Sequence, residues 1–171
     1  SYDDDELCKK AQRIKELAAE NIEKCYNDEE SFYGMSHENK GANASEFLLV
    51  TMNYLGHGKK AKDHIRGLEK YLLTEGNLIF RYRDLDDFGE THSTFLICGF
   101  WYAEALANIG EVEKAKEVFE SLLTRANKLG IFSEDICPQD GSQWGNVAQT
   151  YSHVGLINTA FKIASQMDKL L

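Results

Sequence analysis

The chain has 171 residues, a formal net charge of −9 and a single proline, and 43% of its residues are hydrophobic. That is enough apolar chain for one domain with its own core, and it excludes a disordered or collagen-like polymer. The acidic balance argues against nucleic acid and against an anionic membrane, both of which require clustered Lys and Arg. No apolar run reaches bilayer length and no secretory leader is visible. Cys8, Cys25, Cys98 and Cys137 are widely separated and lack metal-ligand spacing. They are expected to be reduced structural thiols of a cytoplasmic protein, with no metal and no cofactor.

Six helices are predicted. The first spans about 4–26, where Leu7, Ala11, Ile14, Ala18, Ile22 and Cys25 recur at three- and four-residue steps. The acidic start Asp3-Asp4-Asp5-Glu6 suits the positive end of a helix dipole. The second spans about 43–55, capped by Asn43 or Ser45 and apolar nearly all round. The third, about 59–73, is amphipathic through Ala61, Ile65, Leu68 and Leu72. The fourth, about 94–109, carries Glu104 as its one charge. The fifth, about 111–128, is amphipathic through Val112, Ala115, Val118, Phe119, Leu122 and Ala126. The sixth, about 147–168, is largely apolar up to Lys162.

Amphipathic helices thus alternate with helices that are apolar all round, and the latter must be enclosed. The simplest all-α architecture has two layers, with helices two, four and six inside and helices one, three and five outside. Inner helices lead outward through short turns, Gly56-His57-Gly58 and Ile109-Gly110-Glu111. Outer helices lead inward through long connectors, about 27–42, 74–93 and 129–146, with short strand-like pieces such as Leu78–Tyr82. All three long connectors precede inner helices, so they are expected at one end, where a binding site belongs.

Several of these segments resemble glycoside hydrolase family 15, the glucoamylase family. They are Thr94-Phe95-Leu96-Ile97-Cys98-Gly99-Phe100-Trp101, then Phe132-Ser133-Glu134-Asp135, then Asp140 through Asn146, then Gln149-Thr150-Tyr151-Ser152-His153. Ile79-Phe80-Arg81-Tyr82-Arg83 is similar to that family's sugar-contacting strand. The resemblance implies that residues 1–171 form the C-terminal half of an (α/α)6 toroid. It also implies inverting hydrolysis that releases glucose from the non-reducing ends of α-glucans, with trehalose- or dextran-type linkages as variants. Inversion uses two carboxyl groups, one donating a proton to the leaving oxygen and one taking a proton from water. By motif match Glu134 is the base. The general acid of the family lies in an upstream Trp-Glu motif that this sequence lacks, so the chain alone is expected to be inactive.

The resemblance implies further sugar contacts. Arg81 and Arg83 flank Tyr82, and on a strand both point the same way. One of them would hold glucose hydroxyls; the alternative is ion pairing with Asp84, Asp86 or Asp87. Asp86, Asp87 and Glu90 are candidate hydroxyl acceptors or else a solvated acidic loop. Phe95 is a wall of the site or simple core. Trp144 lines the sugar or anchors its own loop, the second being favoured. His153 reads as a hydrogen-bonded core histidine. Two departures from the family pattern, His92 where a Glu is usual and Val147-Ala148 in place of an aromatic-Pro pair, bear on the substrate and not on Glu134.

Two other readings remain. Gly110-Glu111-Val112-Glu113-Lys114-Ala115 resembles a tetratricopeptide-like hairpin, which would make the chain a non-catalytic binding module; the alternating long connectors oppose this. A regulatory toroid without catalysis, of the phosphorylase kinase type, is opposed by the intact Ser-Glu-Asp loop. The expected partners are an α-glucan or glucosyl oligosaccharide. Self-association or pairing with a complementary half is also expected, because a half-ring leaves apolar flanks open.

Overall fold

Helix α4, Leu96–Asn108, is the axis on which the other elements are arranged: all its residues except Trp101 and Glu104 are buried. A computed structural model describes residues 5–87 and 89–169. Helix α1 runs Asp5–Lys24, with Asp5 and Glu6 in its first turn; the predicted caps Asp3 and Asp4 lie outside the described residues. Helix α3 spans Lys59–Leu72 and buries Ala61, Ile65, Leu68 and Leu72, the stripe expected of it. Helix α5 spans Val112–Leu123 and α6 spans Thr150–Met167.

The second predicted helix is much shorter than expected. Asn43 caps it, its Oδ1 accepting from Ser45 N–H at 3.0 Å, but only a 3-10 turn, Ala44–Phe47, and one α turn, α2 (Leu48–Thr51), follow. Asn53 takes a left-handed φ of 61° and ends the helix, as Asn often does. Ala44, Phe47 and Val50 are buried, but Met52 and Tyr54 on either side of Asn53 are exposed, so only the first part of the apolar run is enclosed.

Of the predicted inner layer, only α4 is enclosed nearly all round. Helix α6 packs Ser152, Gly155, Thr159 and Ile163 inward and leaves Val154, Ile157 and Phe161 exposed, Phe161 by 74%. A helix at the edge of the array has a neighbour on one side only. At the other edge α1 buries no residue, and its apolar stripe faces outward. Its last turn is tied down by Glu23, which accepts from Tyr33 Oη (2.7 Å) and Lys60 Nζ (3.3 Å).

The architecture is mainly helical but not purely so, because the long connectors pair with each other. Strands β1 (Tyr26–Asn27) and β2 (Phe32–Tyr33) form an antiparallel hairpin. Strands β3 (Thr94–Phe95), β4 (Ser133–Ile136) and β5 (Gln143–Val147) form an antiparallel sheet in that order. Thr94 lies opposite Ile136 and Phe95 opposite Asp135. This sheet takes the predicted first residues of helices four and six, whose backbone groups pair across the sheet instead of along a helix. The connectors meet at one end of the helices. Phe95 N–H donates to Ile79 O at 3.2 Å and Ala44 N–H to Arg81 O at 2.8 Å, and Asn39 Nδ2 donates to Asp84.

Candidate active site

Glu134 sits in the middle of β4, and its neighbourhood is set by an irregularity in the sheet. Ser133 pairs with Val147, but Asp135 pairs with Trp144, so β5 carries one extra residue opposite Glu134. Gly145 supplies the left-handed φ of 73° that such a bulge requires. In a regular strand Glu134 and Asp135 would point to opposite faces. Here both line one cavity of about 210 Å3, together with Arg81, Phe95 and Ser93.

The bulge also holds the Glu134 carboxylate. Asn146 donates to Oε2 twice, from its backbone N–H at 3.1 Å and from Nδ2 at 2.8 Å. Among the described residues Oε1 has no protein partner, which leaves one oxygen for a ligand or water. Gly145 is so close that a Cβ there would lie 2.8 Å from Oε2.

Asp135 is half-buried and accepts from Ser93 Oγ at 2.5 Å. Burial raises its carboxyl above its ordinary value. The Ser93 hydrogen bond opposes that rise and the Glu134 charge adds to it. The site thus holds two unlike carboxyl groups, one with a free oxygen and one desolvated.

The first turn of α6 braces β4 from behind. Ser152 Oγ donates to Ser133 O at 2.9 Å, and Gln149 N–H donates to Phe132 O at 3.0 Å. His153 accepts from Phe132 N–H at Nε2 and donates from Nδ1 to Gln149 O at 2.7 Å, so it is a hydrogen-bonded structural histidine.

The predicted sugar contacts divide. Arg81 and Phe95 reach the Glu134 cavity, where the Phe95 ring also meets Tyr151 edge-on at 6.4 Å. Arg83 does not: its guanidinium lies 4.6 Å from the Phe80 ring centroid and lines a different cavity. The expectation that the two arginines point the same way fails because 81–83 is not a strand; the β-bridge in this segment is Leu73 to Ile79. Asp86 touches the site indirectly, accepting from Tyr82 Oη at 2.6 Å, and Tyr82 lines the cavity. Asp87 and Glu90 are exposed and lie off its wall. Trp144 is half exposed, lies off that wall and donates from Nε1 to Ser142 Oγ at 2.8 Å, within its own loop.

Sequence reasoning passed over Asn146, Ser93, Tyr82 and Thr91. The Gly145-Asn146 pair carried a bulge signal, and Tyr82 lies within the segment that resembles the sugar-contacting strand; nothing local marks Ser93 and Thr91. Among the described residues there is no cluster of three or more potential metal ligands, and no helix long and apolar enough to cross a membrane. The four cysteines are free thiols, and burial pushes the Cys98 thiol far up.

No family model matches the chain. Its sequence is similar to that of a trehalase from Thermoplasma volcanium, 32% identical over 155 residues, which are 90% of this chain and 25% of the trehalase. A trehalase from Mycolicibacterium smegmatis is 40% identical over 94 residues, 53% of this chain and 14% of that protein. The chain therefore spans about a quarter of the length of the curated relatives it matches. In three dimensions it resembles a glycosidase variant solved in complex with glucose, with a TM-score of 0.71 and 17% identity over 92% of this chain and 44% of that one. These likenesses fit a fragment of a helical toroid, similar in sequence to trehalases and in fold to a glycosidase.

Proposed function

We propose that this chain forms the water-activating half of an inverting α-glucosidic hydrolase of the family 15 type, with Glu134 as general base. The carrying observation is the Glu134 carboxylate, fixed through Oε2 by both Asn146 donors while Oε1 stays free beside a cavity walled by Arg81 and Phe95. Arg81 would donate to sugar hydroxyls, and the Phe95 ring would pack on sugar C–H groups.

In the reaction Oε1 takes a proton from water as the water oxygen bonds to the anomeric carbon. The glycosidic C–O bond breaks, and its electron pair leaves on the departing oxygen. A carboxylic acid on the other face of the sugar protonates that oxygen. This acid comes from outside the 171 residues. Attack from the face opposite the leaving group inverts the anomeric centre.

The names of the sequence relatives favour trehalose as first substrate over α-glucan ends. Inverting cleavage of trehalose releases one β-glucose, from the attacked ring, and one α-glucose, from the leaving ring. The test is hydrolysis of trehalose and maltose by the whole protein that contains this chain, with anomers resolved by proton NMR. We expect one β- and one α-glucose from trehalose at the outset, and a kcat about 10²–10⁴-fold lower in Glu134→Gln with a smaller change in KM. Undiminished turnover in that variant would remove Glu134 from the mechanism. The 171-residue chain alone is expected to release no glucose.

A further inference from the structure

A second cavity, of about 190 Å3, lies beyond the Glu134 site, and the segment 81–84 separates the two. Arg81 and Tyr82 face the first; Arg83 and Asp84 face the second. The floor of the second is apolar, built from Phe32, Leu72 and Ala42, with the partly exposed ring of Tyr71 as one wall. Phe32 and Tyr71 meet edge-on with centroids 5.8 Å apart.

Four charged groups ring this cavity, two of each sign: Glu30, Asp84, Lys40 and Arg83. A ligand with a net charge would meet a like charge whichever sign it carried. Two of the four are directed to partners away from the opening. Glu30 accepts from Lys70 Nζ at 3.3 Å, and Lys40 Nζ donates to Tyr26 O at 2.6 Å. Arg83 has no carboxylate partner among the described residues and is held by the Phe80 ring. Asp84 accepts from Asn39 through Oδ2, at 3.1 Å, which leaves its other oxygen available. A planar donor without a carboxylate partner and an acceptor with one open oxygen, consecutive in sequence, therefore flank an apolar floor. Vicinal hydroxyls match that pair, one accepting from Arg83 and the next donating to Asp84, while ring C–H groups cover Phe32 and Tyr71.

We propose that this cavity is a second, non-catalytic binding site for a single neutral pyranose unit, next to the Glu134 site and sharing the 81–84 segment with it. The choice of a sugar as ligand rests on the hydrolase reading; the selection of a neutral polyol rests on the cavity.

The test is a titration of the full 171-residue chain with D-glucose, followed by amide NMR. Gly41 and Ala42 report this cavity, and Gly145 and Asn146 report the Glu134 site. We expect saturable shifts at Gly41 and Ala42. In Arg83→Ala the dissociation constant at those amides rises about tenfold, as for loss of one charged hydrogen bond. Tyr71→Ala weakens the same response, Tyr71→Phe retains it, and Glu134→Gln leaves it unchanged. Both positions are exposed at the rim, so the variants should keep the native amide spectrum. Absence of saturation at Gly41 and Ala42, or an Arg83→Ala chain that binds as tightly as the parent, overturns the proposal. So does tighter binding of glycine, a zwitterion that also suits a balanced rim. Shifts at Gly41 and Ala42 without any at Gly145 and Asn146 support this site while counting against a sugar at Glu134.

Discussion

Two donors from one residue, Asn146, orient the group on which the proposed chemistry depends. Replacing Asn146 by Ala removes the Nδ2 bond and keeps the backbone one. We expect kcat for the whole enzyme to fall about tenfold, as for one lost charge-assisted hydrogen bond, with KM little changed. An equal loss in KM would make Asn146 a substrate contact instead.

A second prediction concerns two groups away from the site. His64 is fully buried, accepting from Tyr33 N–H at Nδ1 and donating from Nε2 to Glu46 O. Burial pushes it down to about 4 from 6.5, so the unfolded chain binds the extra proton first on acidification. The stability it lends is complete above pH 6.5 and falls towards pH 4 by about 3 kcal/mol. Glu46 has the opposite sign. Burial raises its carboxyl to about 7, so its contribution is intact below pH 4.5 and is lost as pH rises through 7. Urea melts across this range should show Glu46→Gln gaining on the parent at pH 8 and not at pH 4. A constant offset between the two would show that Glu46 does not titrate as described.

Among the elements, α6 has two tasks, bracing β4 through its first turn and closing the face of α4. The second depends on Gly155. A Cβ there would lie 2.5 Å from Ile97 Cδ1 and 3.0 Å from Phe100 Cβ, and Thr159 Oγ1 donates to Phe100 O one turn on, at 3.0 Å. Gly155→Leu must push α6 away from α4, at a cost of roughly 1–3 kcal/mol. Because the same helix carries Ser152 and His153 against β4, that variant should also lose activity. A melt unchanged by Gly155→Leu would mean that α6 packs more loosely on α4 than these distances state.

At the scale of the whole molecule the helical array has two unfinished edges. Val154, Ile157 and Phe161 are exposed on α6, and Leu7, Ile14 and Leu17 on α1. Apolar stripes of this kind are usually covered in solution. We expect the isolated chain to self-associate with rising concentration in light scattering, and Phe161→Lys to weaken that association. A monodisperse monomer at high concentration would count against it.

Periodicity determined much of this protein unaided. The stripe of α3, the all-round apolar α4 and the turns at Gly56 and Gly110 follow from side-chain spacing, because helix faces are a local property of sequence. The resemblance of the Ser133-Glu134-Asp135 motif singled out Glu134 without coordinates. Tertiary structure decided the rest. Only pairing between distant connectors turned 94–95 and 143–147 into strands. The bulge at Gly145 brought Glu134 and Asp135 to one cavity. The end of the pleat after Ile79 sent Arg81 and Arg83 to different cavities. Whether an apolar side chain is enclosed also depends on neighbours, which is why α4 is buried while Val154, Ile157 and Phe161 of α6 stand in water.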